Sequence, residues 1–364
     1  MKDNRQTNLD RTNLVLNGVA MLPHLPPRPR PEEIDRDFRE HELLPSFDSL
    51  LITGGTGLVG RWLLTYLDTY NQFRSQSTKI FLATRRPTWA LEHFKSLVSL
   101  DLNVVDVGHV EATVSRQTPD HIWHLAADTG VHSPTTVFNP IEADLEITLQ
   151  ICRGVKRGDY SPRILYTSSG AVYGRPTAPL SARRPQTPIS ESLSDSDLFY
   201  GYGKLLSESL LIATAKQFGI RINIARLFSL IGPLLPLDKH YAIGNFLHDA
   251  SRRKPIRLKS RGDSIRSWLY LGDLARYLLL LASRSDSNIV DLGGEESMTL
   301  LDAADLIARM TGLTIEHARD VDNSSPGQSY IPNLEAIKSM FQLEGIRRLE
   351  ESVALTLGWL QSIN

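Results

Sequence analysis

The sequence predicts an α/β fold: a doubly wound parallel sheet with a smaller α/β part toward the C-terminus. Three observations predict it. Short apolar runs alternate with amphipathic helical stretches from Ser49 onward. The first run passes directly into a glycine-rich turn, Thr53-Gly54-Gly55-Thr56-Gly57-Leu58-Val59-Gly60. After Arg226 the alternation loosens into loops rich in proline and glycine. Strand and helix in strict alternation require right-handed crossovers, and these build a parallel sheet covered on both faces.

The strand candidates are Leu50-Leu51-Ile52, Ile80 to Ala83, Asn103-Val104-Val105, His121 to Leu125, Arg163 to Tyr166 and Arg221 to Ala225. Helical stretches between them include Trp62 to Tyr70 and Lys204 to Phe218. With 364 residues the chain exceeds one ordinary core. The expected division is a proline-rich arm at 1–46, a sheet domain at 47–228 and 266–294, and a substrate domain at 229–265 and 295–364. The arm holds Leu22-Pro23-His24-Leu25-Pro26-Pro27-Arg28-Pro29-Arg30-Pro31, whose alternating prolines favour extended geometry and exclude helix. It reads as an arm across the body or a disordered leader, with a proline-rich ligand for a partner as the other option.

Composition excludes several classes. Hydrophobic residues are 41%, charged residues 22% and the formal net charge is -1, so no basic block marks a nucleic-acid partner. The single cysteine, Cys152, excludes an intramolecular disulfide and lies in an apolar run as a core thiol; no metal cluster is expected. The polar first ten residues are unlike a secretory signal, and no run of about 18 apolar residues predicts a membrane span. A cytoplasmic protein is the expectation.

In the glycine turn, glycines permit the tight bend and let backbone amides approach a pyrophosphate at a positive helix end. A dinucleotide site is expected there, on Gly54, Thr56, Gly57, Leu58 and Val59. The residue ending the second strand reads the adenosine ribose, and a carboxylate there repels a 2′-phosphate. This chain has Thr84-Arg85-Arg86 instead. Arg85 offers a guanidinium for bidentate phosphate contact, so NADP is expected ahead of NAD.

Four segments in order resemble the extended short-chain dehydrogenases/reductases, the Rossmann-type group of nucleotide-sugar epimerases, dehydratases, decarboxylases and ketoreductases. They are Thr53 to Gly60, His124-Leu125-Ala126-Ala127, Thr167-Ser168-Ser169-Gly170-Ala171-Val172-Tyr173-Gly174 and Tyr200-Gly201-Tyr202-Gly203-Lys204. The resemblance implies Asp106, Val107, Leu125, Ala126 and Ala127 as further cofactor contacts. It also implies Tyr200 as the proton-transfer group, Lys204 as its activator and ribose ligand, and Ser169 as the hydroxyl that binds the reacting oxygen, with Ser168 as its neighbour alternative. Chemistry supports the types: a lone phenol titrates near 10, and a lysine four residues along the same helix face favours its phenolate.

On the substrate side, Arg226 to Pro233 is similar to the family's Arg-x-x-Asn-x-x-Gly-Pro turn, with Ser229 in place of asparagine. Gly244-Asn245-Phe246 opens a helix, where Asn245 would meet a diphosphate. Arg266 matches the arginine that binds the nucleotide-sugar pyrophosphate. Gly170-Ala171 follows Ser169 where the family's dehydratases and decarboxylases carry acidic residues, so no proton-transfer group stands there. Cys152 is misplaced for the cysteine–histidine epimerisation of GDP-fucose synthase relatives. Asp128 and His132, in the loop after the fourth strand, keep elimination open.

Two reactions need only Ser169, Tyr200 and Lys204: 4-epimerisation and reduction of a 4-keto sugar. The expected NADP preference puts reduction first, with NAD-dependent 4-epimerisation or 4,6-dehydration as alternatives. A dinucleotide sensor without catalysis is the alternative of another class. The family also implies a homodimer, pairing through about Ile141 to Val155 and Gly203 to Phe218.

Overall fold

The computed structural model describes residues 24–43, 47–126, 138–174, 196–237, 241–318, 327–341 and 346–363. Ala127, Asp128 and His132 lie outside the described residues.

Six strands follow the six predicted runs: β1 (Ser49–Thr53), β2 (Thr78–Ala83), β3 (Leu100–Val105), β4 (His121–His124), β5 (Arg163–Ser169) and β6 (Arg221–Leu227). Their crossovers are α2 (Leu58–Arg74), α3 (Pro87–His93), α4 (Val110–Gln117), α5 (Phe138–Gly158) and α6 (Ser196–Phe218). A seventh strand, β10 (Asn288–Leu292), closes the far edge, giving the order β10-β6-β5-β4-β1-β2-β3. Every pairing in this sheet is parallel. Strands buried on both faces must be apolar throughout, which Leu50, Leu51 and Ile52 satisfy at 0% exposure. One face packs Ile52, Trp62, Leu63 and Leu278; the other packs Leu51, Ile122, Ile151 and Leu211. Chain order reverses between β1 and β4, and in such sheets ligands bind beyond the strand C-termini at that point.

The C-terminal part is smaller. It comprises β7 (Ser229–Ile231), α7 (Ala242–Ser251), β8 (Ile256–Leu258), β9 (Ile265–Tyr270), β11 (Ser297–Thr299), α9 (Leu300–Thr311), β12 (Ile315–His317), β13 (Ser329–Tyr330), α10 (Glu335–Met340) and α11 (Leu349–Ser362). β9 pairs with β11, β13 and β7, and a separate core forms around Phe246, Ile256, Ala304 and Val353. α9 begins on a capping box between Thr299 and Asp302. α8 (Leu271–Ser283) returns from β9 to the large sheet and carries a continuous buried leucine face.

The arm departs from its expected lack of helix. α1 (Pro31–Glu40) starts on Pro31 itself, because a proline at the first helical position loses no hydrogen bond. Ile34 and Phe38 enter the main core. Arg28 pairs with buried Asp68 at 2.7 Å, and Asp37 receives both Arg276 Nε (2.6 Å) and Nη2 (2.8 Å). The described part of the arm therefore lies across α2 and α8. Among the described residues, Asp37→Ala leaves the Arg276 guanidinium only Asp273 as an ion-pair partner, at 3.6 Å. Charge-assisted hydrogen bonds of this kind contribute roughly 1.5–3 kcal/mol. The variant is expected to lose stability by that order in urea unfolding and to be cut faster by trypsin at Arg36 and Arg39, exposed residues of α1.

No described helix is long and apolar enough to cross a membrane, and no metal-ligating group of three or more side chains occurs among the described residues.

Candidate active site

The glycine turn joins β1 to α2. Gly54 has φ +73°, and a Cβ there would stand 2.5 Å from Ala126 N and 2.6 Å from the Leu125 carbonyl oxygen. Only glycine lets these two strand ends close together. A Cβ on Gly60 would meet Gly54 O at 2.4 Å, so the helix packs directly on the turn. α2 starts after Gly57 with no side-chain cap, and its first-turn amides carry the positive helix end. Leu58 and Val59 are half-buried beside it. This cradle fits a dinucleotide pyrophosphate.

The adenosine end takes shape at the tips of β2 and β3. Thr84 Oγ1 accepts from Arg86 N at 3.0 Å and lies 3.5 Å from Thr56 Oγ1. Arg86 lies over the Trp89 ring at 4.8 Å and donates to Thr56 O at 3.4 Å, while Arg85 is exposed. Asp106 is exposed and its carboxylate accepts from Gly108 N at 2.8 Å, capping a one-turn 3-10 helix; Val107 is half-buried.

Under the turn runs a buried hydrogen-bond chain. Thr53 Oγ1 lies 2.8 Å from His124 Nδ1, and His124 Nε2 lies 3.0 Å from Thr148 Oγ1, which donates to Asp144 O at 2.8 Å. Since Thr148 gives its proton to that carbonyl, His124 must donate through Nε2 and accept at Nδ1. Burial pushes its pKa down to about 4, so the ring is neutral.

The catalytic candidates converge at the tips of β5 and α6. Ser169 Oγ accepts from Ala171 N at 3.1 Å, lies 3.3 Å from Tyr330 Oη and also bonds Tyr200. Burial first, then the Asp144 charge and Tyr241, push the Tyr200 phenol above its ordinary range, against the Ser169 hydrogen bond. Lys204 is buried, and its Nζ donates to Asp144 Oδ1 (2.9 Å), Thr167 O (3.1 Å) and Ala126 O (3.3 Å). Asp144 Oδ2 accepts from Ser207 Oγ (2.7 Å) and Tyr166 Oη (2.9 Å). Burial alone would raise the Asp144 carboxyl, but Lys204 and His124 hold it below the ordinary carboxylate range. The Lys204 ammonium is held above its ordinary range, Asp144 outweighing the opposing effect of burial. Ser168, the alternative hydroxyl, is buried with no hydrogen-bond partner among the described residues.

Two neighbours were missed from sequence. Tyr330, from β13, faces Ser169 and donates to Leu227 O at 3.4 Å; no local pattern marks it. Phe228 fills the space beside Gly170, where a Cβ would meet its ring at 2.7 Å. Of the substrate-side candidates, Arg266 lies near the cluster, 5.7 Å from the Tyr330 ring, with Nη1 donating to Ile265 O and Gln328 O. Ser229 is in β7, paired with Trp268, and Asn245 is half-buried in the first turns of α7. Arg226 is committed elsewhere, to Glu208 at 2.6 and 3.0 Å and to Tyr173 Oη at 2.8 Å.

Known proteins share this fold. UDP-glucuronic acid decarboxylase 5 of Arabidopsis thaliana is 25% identical over 358 residues, covering 92% of this chain and 96% of the relative. The solved UDP-glucuronic acid 4-epimerase of Bacillus cereus, in complex with UDP-glucuronic acid and NAD, superposes with TM-score 0.69 at 20% identity, covering 87% of this chain and all of that one. MoeE5, in complex with UDP-glucuronic acid and NAD, gives TM-score 0.69 at 21% identity over 86% of this chain and 99% of its own. Both structures hold NAD, and this overturns the NADP preference read from Thr84-Arg85-Arg86. The physical reason lies in Arg86, whose face is taken by Trp89, beside a threonine pair rather than a phosphate clamp. The family model for the NAD dependent epimerase/dehydratase family matches residues 50–293, well over half of the chain. The chain is a member of that enzyme family.

Proposed function

We propose that the protein is an NAD-dependent 4-epimerase of a nucleotide-linked sugar, with UDP-glucuronic acid as the first substrate to test. Ser169 would bind the C4 oxygen and Tyr200 would exchange its proton. Gly54, Thr56, Gly57 and the first turn of α2 would hold the dinucleotide, with Leu125 and Ala126 beside it. Bound there, the dinucleotide supplies hydride removal and return at the substrate carbon. Arg266 and Asn245 would face the diphosphate, and residues 229–265 and 295–364 would form the substrate side.

The carrying observation is the Phe228 ring against Gly170. It fills the space next to Ser169 that an acidic side chain would need, so elimination has no acid or base from that position. Oxidation and re-reduction at C4 need only the hydroxyl cluster, Lys204 and a dinucleotide that would take up the hydride and return it. Reduction of a 4-keto sugar rested on a reduced NADP pool, and that ground is gone; an epimerase returns its hydride each cycle and suits NAD. Decarboxylation is the second reading, supported by the Arabidopsis relative's name and by chemistry: a 4-keto uronic acid is a β-keto acid, which readily loses carbon dioxide.

The test is incubation with NAD and UDP-glucuronic acid, UDP-glucose and UDP-N-acetylglucosamine, followed by NMR of the products. A C4 epimer without net NADH supports the proposal. A UDP-pentose with carbon dioxide assigns the decarboxylase instead, and steady consumption of added NADH with a 4-keto sugar assigns a reductase.

A homodimer is proposed through α5 and α6. Leu145, Leu205, Leu210 and Ile212 are half-exposed there, and Leu206 is 52% exposed, more apolar surface than a helix facing water carries. Light scattering at micromolar concentration is expected to give twice the chain mass, and Leu206→Glu to shift it toward the monomer.

A further inference from the structure

The ammonium of Lys204 has three N–H donors, and the structure shows an acceptor for each: Asp144 Oδ1, Thr167 O and Ala126 O. None remains for Tyr200. The ammonium and carboxylate lie 2.9 Å apart with side chains 1% and 4% exposed, so the pair is close to neutral as seen from its surroundings. An ammonium alone beside a phenol favours the phenolate, and an adjacent carboxylate cancels much of that effect. The carboxylate is also well satisfied as an ion, through Ser207 and Tyr166.

We propose that Asp144 is a positioning residue for the proton transfer: by holding the Lys204 ammonium it keeps the proton on Tyr200 in the resting site. This rests on the reading of Tyr200 as the proton-transfer group. The groups facing the pair are His124 from β4, Tyr166 from β5 and Ser207 from α6, with Tyr200 beside Asp144; Tyr241, ahead of α7, and Tyr330, from β13, face Tyr200 in turn. His124 is neutral, and the phenols of Tyr166, Tyr200 and Tyr330 are all driven toward their protonated forms by burial. Glu208 and Arg226 are nearby charges, but they pair with each other at 2.6 Å. Asp144 is thus the one carboxylate among the described residues that offsets Lys204.

Asp144→Asn keeps an oxygen acceptor for Lys204 and removes the negative charge. Two measurements test it. The pH dependence of kcat gives the acid limb of turnover. Ultraviolet difference titration of each protein against its Tyr200→Phe counterpart, with NAD bound, reports the Tyr200 phenolate without any substrate. In Asp144→Asn both are expected to move to lower pH by about one unit or more, the size of effect a nearby charge has on a pKa. Asp144→Glu, which keeps the charge, is expected to leave both in place. Unmoved titrations in Asp144→Asn, or an equal shift in Asp144→Glu, overturn the proposal. Where Asp144→Asn does not fold, Asp144→Ser is read in the same way, its smaller side chain leaving room for a water on the ammonium. Failure of both to fold assigns Asp144 to stability and overturns the proposal too. If the wild type turns over none of the three nucleotide sugars, the proposed reaction fails, and the phenolate titration still decides on Asp144.

Discussion

Tyr200→Phe is expected to fold and bind NAD like the wild type while turnover falls about 10²–10⁴-fold, the usual contribution of general acid–base catalysis. The substitution removes one hydroxyl and nothing else. The ring remains at the start of α6, and Ser169 keeps Ala171 N and Tyr330 as hydrogen-bond partners. A loss confined to kcat identifies the hydroxyl as the proton carrier. Turnover within a factor of a few of wild type would move the role to another hydroxyl, and Tyr330 is next in line because it faces the same serine. Calorimetry with NAD separates this from a fault in cofactor binding.

Lys204→Met is expected to cost stability as well as turnover, by about 3–5 kcal/mol at neutral pH, the order found when a buried pair loses one partner. The pH dependence of that cost follows from Asp144. In the wild type its folded pKa is below the unfolded value of 3.8, so the pair stabilises the fold above that value and the benefit is lost as pH falls through the folded pKa. In Lys204→Met the carboxylate is buried without its ammonium, and burial then raises the folded pKa above the unfolded one. The penalty is therefore small below the unfolded pKa and grows as pH rises through the carboxylate range to neutrality. Urea unfolding at pH 4.5 and pH 8 checks this: the variant is expected to approach the wild type on the acid side and fall away from it on the other. Equal losses at both would mean that packing, not charge, dominates.

The inner strand β1 was legible because it is buried on both faces and must be apolar without interruption. Leu50-Leu51-Ile52 announces itself for that reason. The glycine turn was legible because backbone contact at 2.5 Å tolerates no side chain at Gly54. The site's long-range partners were not. Asp144 sits on α5 in Glu142-Ala143-Asp144-Leu145-Glu146, a stretch that reads as a solvated helix face, and only the fold brings it to Lys204, 60 residues away. Tyr330 lies 161 residues from Ser169. Phe228 looked like one more apolar residue at a strand end, although it decides what Gly170 can become. The helix at Pro31 was hidden because proline excludes helix interiors but not helix starts. Arg85 misled in the opposite direction: its type suggested a phosphate, and an exposed guanidinium is equally at home as a solvated surface charge.

The clasp between Asp37 and Arg276 also sets a timetable for the newborn chain. The two residues are 239 positions apart. At ribosomal speeds of about 5–20 residues per second, α1 emerges on the order of ten to fifty seconds before its partner exists. During that interval Ile34 and Phe38 have no α8 to cover them. The neighbouring Pro26-Pro27-Arg28-Pro29-Arg30 is well suited to such waiting, since proline cannot join a β-ladder and arginine repels its like. A segment that ends as a strap on the finished enzyme would thus first serve as its own guard against premature sticking.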